Sequence, residues 1–125
     1  MKISKELAKL ALAWIVNEAG FHKKVPNLVY SRRKSDIYGK YEWETETITV
    51  YEKPHIELKI DPLREFIDTV MHEFAHHRQH RTKVLYKRLN KTVSGFHHEL
   101  NVDDLEKDAE QFSRKHTTKF LKIIK

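Results

Sequence analysis

Cysteine is absent from the chain. That excludes disulfides and every thiolate metal site, so a transition metal could be held only by histidine and carboxylate. The absence also suits a reducing compartment. Long apolar runs are missing too. Near the N-terminus, Leu10 to Val16 forms an unbroken apolar run of seven residues, with Glu6 and Lys9 before it and no small-residue cleavage pattern after it. Such a run is too short for a signal peptide or a membrane span. The expectation is a cytoplasmic protein with no membrane partner. With 125 residues, of which 39% are hydrophobic, residues 1–125 have room for a single domain with one modest core.

Charge is plentiful. The formal net charge is +6, and charged residues make up 34% of the chain. A basic balance brings nucleic acid into view as a partner. A solvated, lysine-rich surface accounts for the same composition.

Hydropathy periods order the chain. Leu7, Leu10, Ala11, Trp14 and Ile15 recur at helical spacing, with Ser4 as N-cap and Gly20 as stop. Leu28 to Ser31 reads as a short strand after Pro26 and Asn27, and Arg32 to Asp36 as an exposed turn. Tyr38 to Trp43 and Thr47 to Tyr51 read as a hairpin around Glu44 to Glu46. Ile56, Leu58 and Ile60 alternate with Glu57, Lys59 and Asp61, the period of a strand with one buried face. Asp61 followed by Pro62 is a helix start. Leu63, Phe66, Ile67, Val70, Met71 and Phe74 then supply one apolar face as far as about Arg81. A polar connection with Ser94 and Gly95 follows. A last helix is predicted from about Asp103 to Leu121, burying Leu105, Ala109, Phe112, Phe120 and Leu121. The fold class is α+β: an N-terminal helix, a small antiparallel sheet and two further helices.

His72-Glu73-Phe74-Ala75-His76 is an HExxH motif inside the third of these apolar patterns. Residues four apart on a helix share a face about 5–6 Å apart, so two imidazoles reach one ion. Glu73 is rotated about 100° from His72, where it meets a zinc-bound water without ligating the metal. Shuffling this composition yields about 0.06 HExxH matches. The motif is therefore informative mainly because the helix is predicted independently of it. The rival explanation is a histidine-rich, solvated helix face.

A zinc hydrolase needs three protein ligands and one open position. His77 faces away, and His80 lies about 12 Å along the axis from His72. The metzincin extension would need Gly at position 79 and His at position 82, where this chain has Gln79 and Thr82. The preferred third ligand is Glu106, within Glu106-Lys107-Asp108-Ala109-Glu110. There Ala109 permits close helix approach, and Glu110 is expected to accept a hydrogen bond from a ligand imidazole. His97 and His98 are the alternatives.

MHEFAHH followed about thirty residues later by LEKDAEQFS resembles the gluzincin metallopeptidases. In these, a glutamate on a following helix completes the HExxH site. Glu106, Ala109 and Phe112 are similar to the glutamate helix of the ImmA/IrrE-type proteases, and the size and element order look like the minigluzincins. The resemblance covers roughly residues 38–121. It implies a zincin-like fold with an active-site helix and a C-terminal glutamate helix. It further implies Zn2+ on His72, His76 and Glu106, and Glu73 as base and acid toward a peptide or protein substrate. It also implies an upper-rim strand that pairs with an extended substrate. Tyr86, His97, His98 and His116 are the candidates for steadying the oxyanion. Two other readings stay open. One is an SprT-like, DNA-associated protease or basic nucleic-acid-binding protein, with His97 or His98 as third ligand. The other is a latent homologue that keeps zinc without turnover.

Overall fold

The computed structural model describes the backbone of residues 2–82 and 97–124, and the side chains of residues 2–81 and 103–124. The connection expected around Ser94 and Gly95 lies outside the described residues, as does Tyr86. Helix α1 spans Lys5–Ala19. The Ser4 hydroxyl accepts from the Leu7 N–H at 3.1 Å, and Gly20 closes the helix in the left-handed conformation at φ 74°. Both caps stand where the sequence puts them. The buried face is shifted, however: Leu7, Ala8, Ala11, Leu12, Ile15 and Val16 are buried, whereas Leu10 is 48% exposed and Trp14 only partly buried. The apolar arc of this helix is wider than one stripe. The observed rotation turns the small Ala8 and Ala11 inward, where they allow close packing.

Strands β1 (Asn27–Ser31), β2 (Gly39–Glu42) and β3 (Thr47–Tyr51) form one sheet in the order β1-β3-β2. β2 and β3 make the expected antiparallel hairpin, with Gly39 opposite Val50 and Glu42 opposite Thr47. β1 adds to the other side of β3 in parallel, so the sheet is mixed rather than purely antiparallel. Ile48 and Val50 of the central strand are fully buried.

The segment read as a strand from Ile56 to Asp61 is not one. Helix α2 (Glu52–Ile56) follows β3 directly, and Ile60 is 83% exposed. Both edges of β3 are already taken, and Pro54 has no N–H for a ladder but is tolerated in a first helical turn. The turn buries His55 completely. Its Nδ1–H donates to the Tyr51 carbonyl at 2.6 Å, and its Nε2 lies 2.8 Å from the Thr69 hydroxyl.

Helix α3 (Pro62–Thr82) starts at the predicted Asp61-Pro62 signal, where Asp61 Oδ1 accepts from the Arg64 N–H at 3.4 Å. Helix α4 (His97–Ile124) begins earlier than the sequence suggests. Its buried positions include Ala109, Ser113, Thr117, Phe120 and Leu121, of which the first three are small side chains that let it lie close along α3. Phe66, Ile67, Val70, Met71 and Phe74 of α3 join α1, β3 and the C-terminal end of α4 in one core. No described helix is long and apolar enough to cross a membrane.

Candidate metal centre

The core fixes the rotation of α3. With Phe66, Val70, Met71 and Phe74 pointing inward, the positions left facing the α4 side include His72 and His76, whose side chains are 21% and 19% exposed. α4 supplies Glu106 opposite them. His72 Nε2 lies 3.2 Å from Glu106 Oε2, and His76 Nε2 lies 3.0 Å from Glu106 Oε1. The two imidazole Nε2 atoms are 3.2 Å apart. Thus the three residues selected as ligands from the sequence converge, although Glu106 is 30 positions beyond His76 in the chain (106 − 76).

The donor chemistry fits a metal. Ligands about 2.0–2.1 Å from a tetrahedral zinc are about 3.3 Å from one another, close to the separations found here. The protons point the same way. His76 Nδ1 donates to Gln79 Oε1 at 3.0 Å. In the neutral ring this leaves the Nε2 lone pair facing a second imidazole nitrogen and a carboxylate oxygen. A proton on His72 Nε2 or a cation held among the three donors would relieve the repulsion of these lone pairs.

Glu73 sits on the same turn but is not part of the triad. It is 9% exposed. Burial, and then the Glu106 carboxylate, push its carboxyl up to about 7. β2 runs close beside it. A Cβ on Gly39 would fall 2.6 Å from Thr69 Cγ2, 3.0 Å from the Thr49 carbonyl and 3.5 Å from Glu73 Cγ. Only glycine lets the strand approach the HExxH turn this closely. Thr69 has little freedom to yield, because its hydroxyl also contacts His55 and the Glu65 carbonyl.

The remaining candidates fall elsewhere. His77 is buried on the opposite side of α3: Nε2–H donates to the Lys24 carbonyl and Nδ1 accepts from the Tyr41 hydroxyl at 2.8 Å. The ring of His80 lies against Tyr41 and Trp43. His116 donates from Nδ1 to the Phe112 carbonyl at 2.8 Å and packs on Phe112 and Trp14. It stands ten residues beyond Glu106, about 15 Å along the axis, which removes it as an oxyanion donor. His97 and His98 lie in the first turn of α4. That start is about 12–14 Å along the helix from Glu106; their side chains are outside the described residues.

Glu110 does not take the expected part. It is exposed, and the acceptor opposite His76 is Gln79, which is 5% exposed. Sequence reasoning met Gln79 only as a departure from the metzincin pattern. Its position one turn after His76 was the available signal. Asp108 was also missed; it accepts from Gln79 at 2.8 Å and from Arg78 at 3.0 Å.

Comparison with known proteins yields no relative: no family model, curated protein or solved structure matches the chain. The resemblance to gluzincins therefore stands on the motif residues alone.

Proposed function

We propose that this chain is a zinc-dependent endopeptidase of gluzincin type. The observation that carries the reading is the convergence of His72 Nε2, His76 Nε2 and the Glu106 carboxylate within 4.8 Å of one another, beside a buried glutamate. His72, His76 and Glu106 hold the metal, and three protein ligands leave one position open. When bound, zinc acts as a Lewis acid that acidifies water and polarises the scissile carbonyl. Glu73 accepts the proton of the attacking water and passes it to the leaving amine. In the metal-free site burial pushes this carboxyl up to about 7, and a bound cation would favour the ionised form that a base needs. No covalent adduct with the chain is required.

The substrate is a peptide or protein in extended form. Among the described residues β2 has no strand on its outer edge, and an edge strand beside the catalytic turn suits recognition by strand addition. A carboxylate opposite the histidine pair favours the glutamate-type site over the SprT-like one. The cysteine-free chain suits a cytoplasmic setting.

The test pairs elemental analysis with turnover of a peptide library. One zinc per chain and zinc-dependent cleavage are expected. Glu73→Gln should keep the zinc and lower the rate by about 10²–10⁴-fold, the usual contribution of a general base. A variant that still cleaves at the wild-type rate would remove Glu73 from the mechanism. Zinc binding with no cleavage of any peptide would leave the latent reading in its place.

A further inference from the structure

Gln79 spends its whole amide on defined partners. Both N–H directions meet acceptors: the Leu105 carbonyl at 2.8 Å and Asp108 Oδ2 at 2.8 Å, both on α4. Flipping the amide would set its oxygen against those two acceptors, so its orientation is fixed by the chemistry. Oε1 must then face His76 Nδ1, 3.0 Å away, and only a protonated Nδ1 completes that bond. Asp108 is itself anchored by Arg78 at 3.0 Å, and the Arg78 guanidinium lies 4.7 Å from the Phe112 ring centroid. The chain of contacts therefore runs from the carboxylate of Asp108 through a neutral amide to an imidazole. Its α4 end lies one turn or less from Glu106.

We infer that Gln79 is the positioning residue of the metal centre: docked on α4 through Leu105 and Asp108, it holds His76 in the Nδ1–H tautomer and presents Nε2 to the metal. The inference rests on the metal-site reading above and deepens it. One side chain then does two jobs. It sets the tautomer of a ligand on α3, and it ties that ligand to the helix that brings Glu106. Polarisation of the amide by Asp108 strengthens Oε1 as an acceptor and makes the imidazole a better donor to a cation.

Zinc affinity of the full chain, measured by competition with a chromophoric chelator, tests this. Gln79→Met keeps the length and loses the amide; affinity should fall about 10–100-fold, as for other partners of ligand imidazoles. Gln79→Glu combined with Asp108→Asn restores an acceptor for His76 and a donor from α4, at the loss of the Arg78 bond to Oδ2, and should recover most of the affinity that Gln79→Met loses. That double variant still leaves the Leu105 carbonyl without its donor, so the metal-free protein should remain less heat-stable than wild type. A merely structural Gln79 predicts instead that affinity follows metal-free stability in both variants, and that result overturns the proposal. Nitrogen-15 NMR of the zinc-loaded wild type gives a readout that needs no variant. His76 should carry its proton on Nδ1 and its metal on Nε2, and the reverse overturns the inference. If the wild type binds zinc and Gln79→Met binds it as tightly, the inference alone falls. If the wild type binds none, the site reading falls with it.

Discussion

His55, His77 and His116 differ from His72 and His76 in what their ring nitrogens face. Each of the first three has an Nδ1 or Nε2 proton directed at a backbone carbonyl, those of Tyr51, Lys24 and Phe112. His55 and His77 also find a hydroxyl at the second nitrogen, from Thr69 and Tyr41. His55 and His77 are buried and His116 is half-buried, and desolvation lowers the pKa of all three from the ordinary histidine value, favouring the neutral ring. His72 and His76 instead direct Nε2 at each other and at a carboxylate. One set is closed by carbonyl and hydroxyl partners, and the other brings two imidazoles and a carboxylate together as a metal site would. His76 and His77 are neighbours in sequence yet belong to opposite sets. Histidine content alone therefore says little about metal binding; the partner of each nitrogen says a great deal.

The sharpest way to break this comparison is to remove the open set. Replacing both His72 and His76 with Ala should take bound zinc from one per chain to none, read by elemental analysis after dialysis. Unchanged stoichiometry would move the site elsewhere. Next in size is Glu106→Ala, which removes a direct donor. It should weaken zinc beyond the roughly 10–100-fold typical of an indirect partner. Glu110→Ala and the paired His97→Ala/His98→Ala change should leave affinity near wild type. The reverse order of effects would favour an SprT-like site.

The closed set should respond in stability rather than in metal. His55→Ala opens a cavity beside Phe66, removes one of the two partners of the Thr69 hydroxyl and leaves the Tyr51 carbonyl without its donor. A cost of about 2–4 kcal/mol in urea unfolding is expected, with the zinc stoichiometry intact. Smallest is the pH response of the metal-free protein, best followed in Glu73→Gln, because Glu73 itself acts in the opposite sense. Its raised carboxyl favours the fold at low pH and loses that contribution as pH rises from about 4.5 to about 7. For His55, His77 and His116 the unfolded chain takes up protons first. Their stabilisation is complete above about pH 6.5 and is lost as pH falls below it toward the lowered native values. The urea midpoint at pH 5.5 should therefore lie below that at pH 7.5. A midpoint that rises on acidification would show these rings are not held neutral.

What could be read from the sequence was local. The Ser4 and Gly20 caps, the β2–β3 hairpin, the Asp61-Pro62 start and the HExxH face each depend on residues within one or two turns of each other. Glu106 was reachable because a helix repeats its chemistry at a known spacing. The failures were all non-local. Ile56, Leu58 and Ile60 carry a strand's alternation, but a strand also needs a free edge, and β1 and β2 had taken those of β3. The parallel pairing of β1 depends on a crossover that no local signal encodes. Glu110 is expected as the imidazole's acceptor and is not, because the spacing on one helix does not reveal how the neighbouring helix is rotated against it.

The placement of the donors on two helices has a further consequence for a chain that contains no cysteine. An ion shared by His76 and Glu106 would cross-link positions 30 residues apart (106 − 76), as a disulfide does in a secreted domain. A clip of that span restricts the unfolded chain and not only the native one. Its strength would be set by the free metal concentration, adding about 2.7 kcal/mol when zinc stands at one hundred times its dissociation constant. The ion proposed for hydrolysis would then also set how stable the fold is, and chelation would act on both at once.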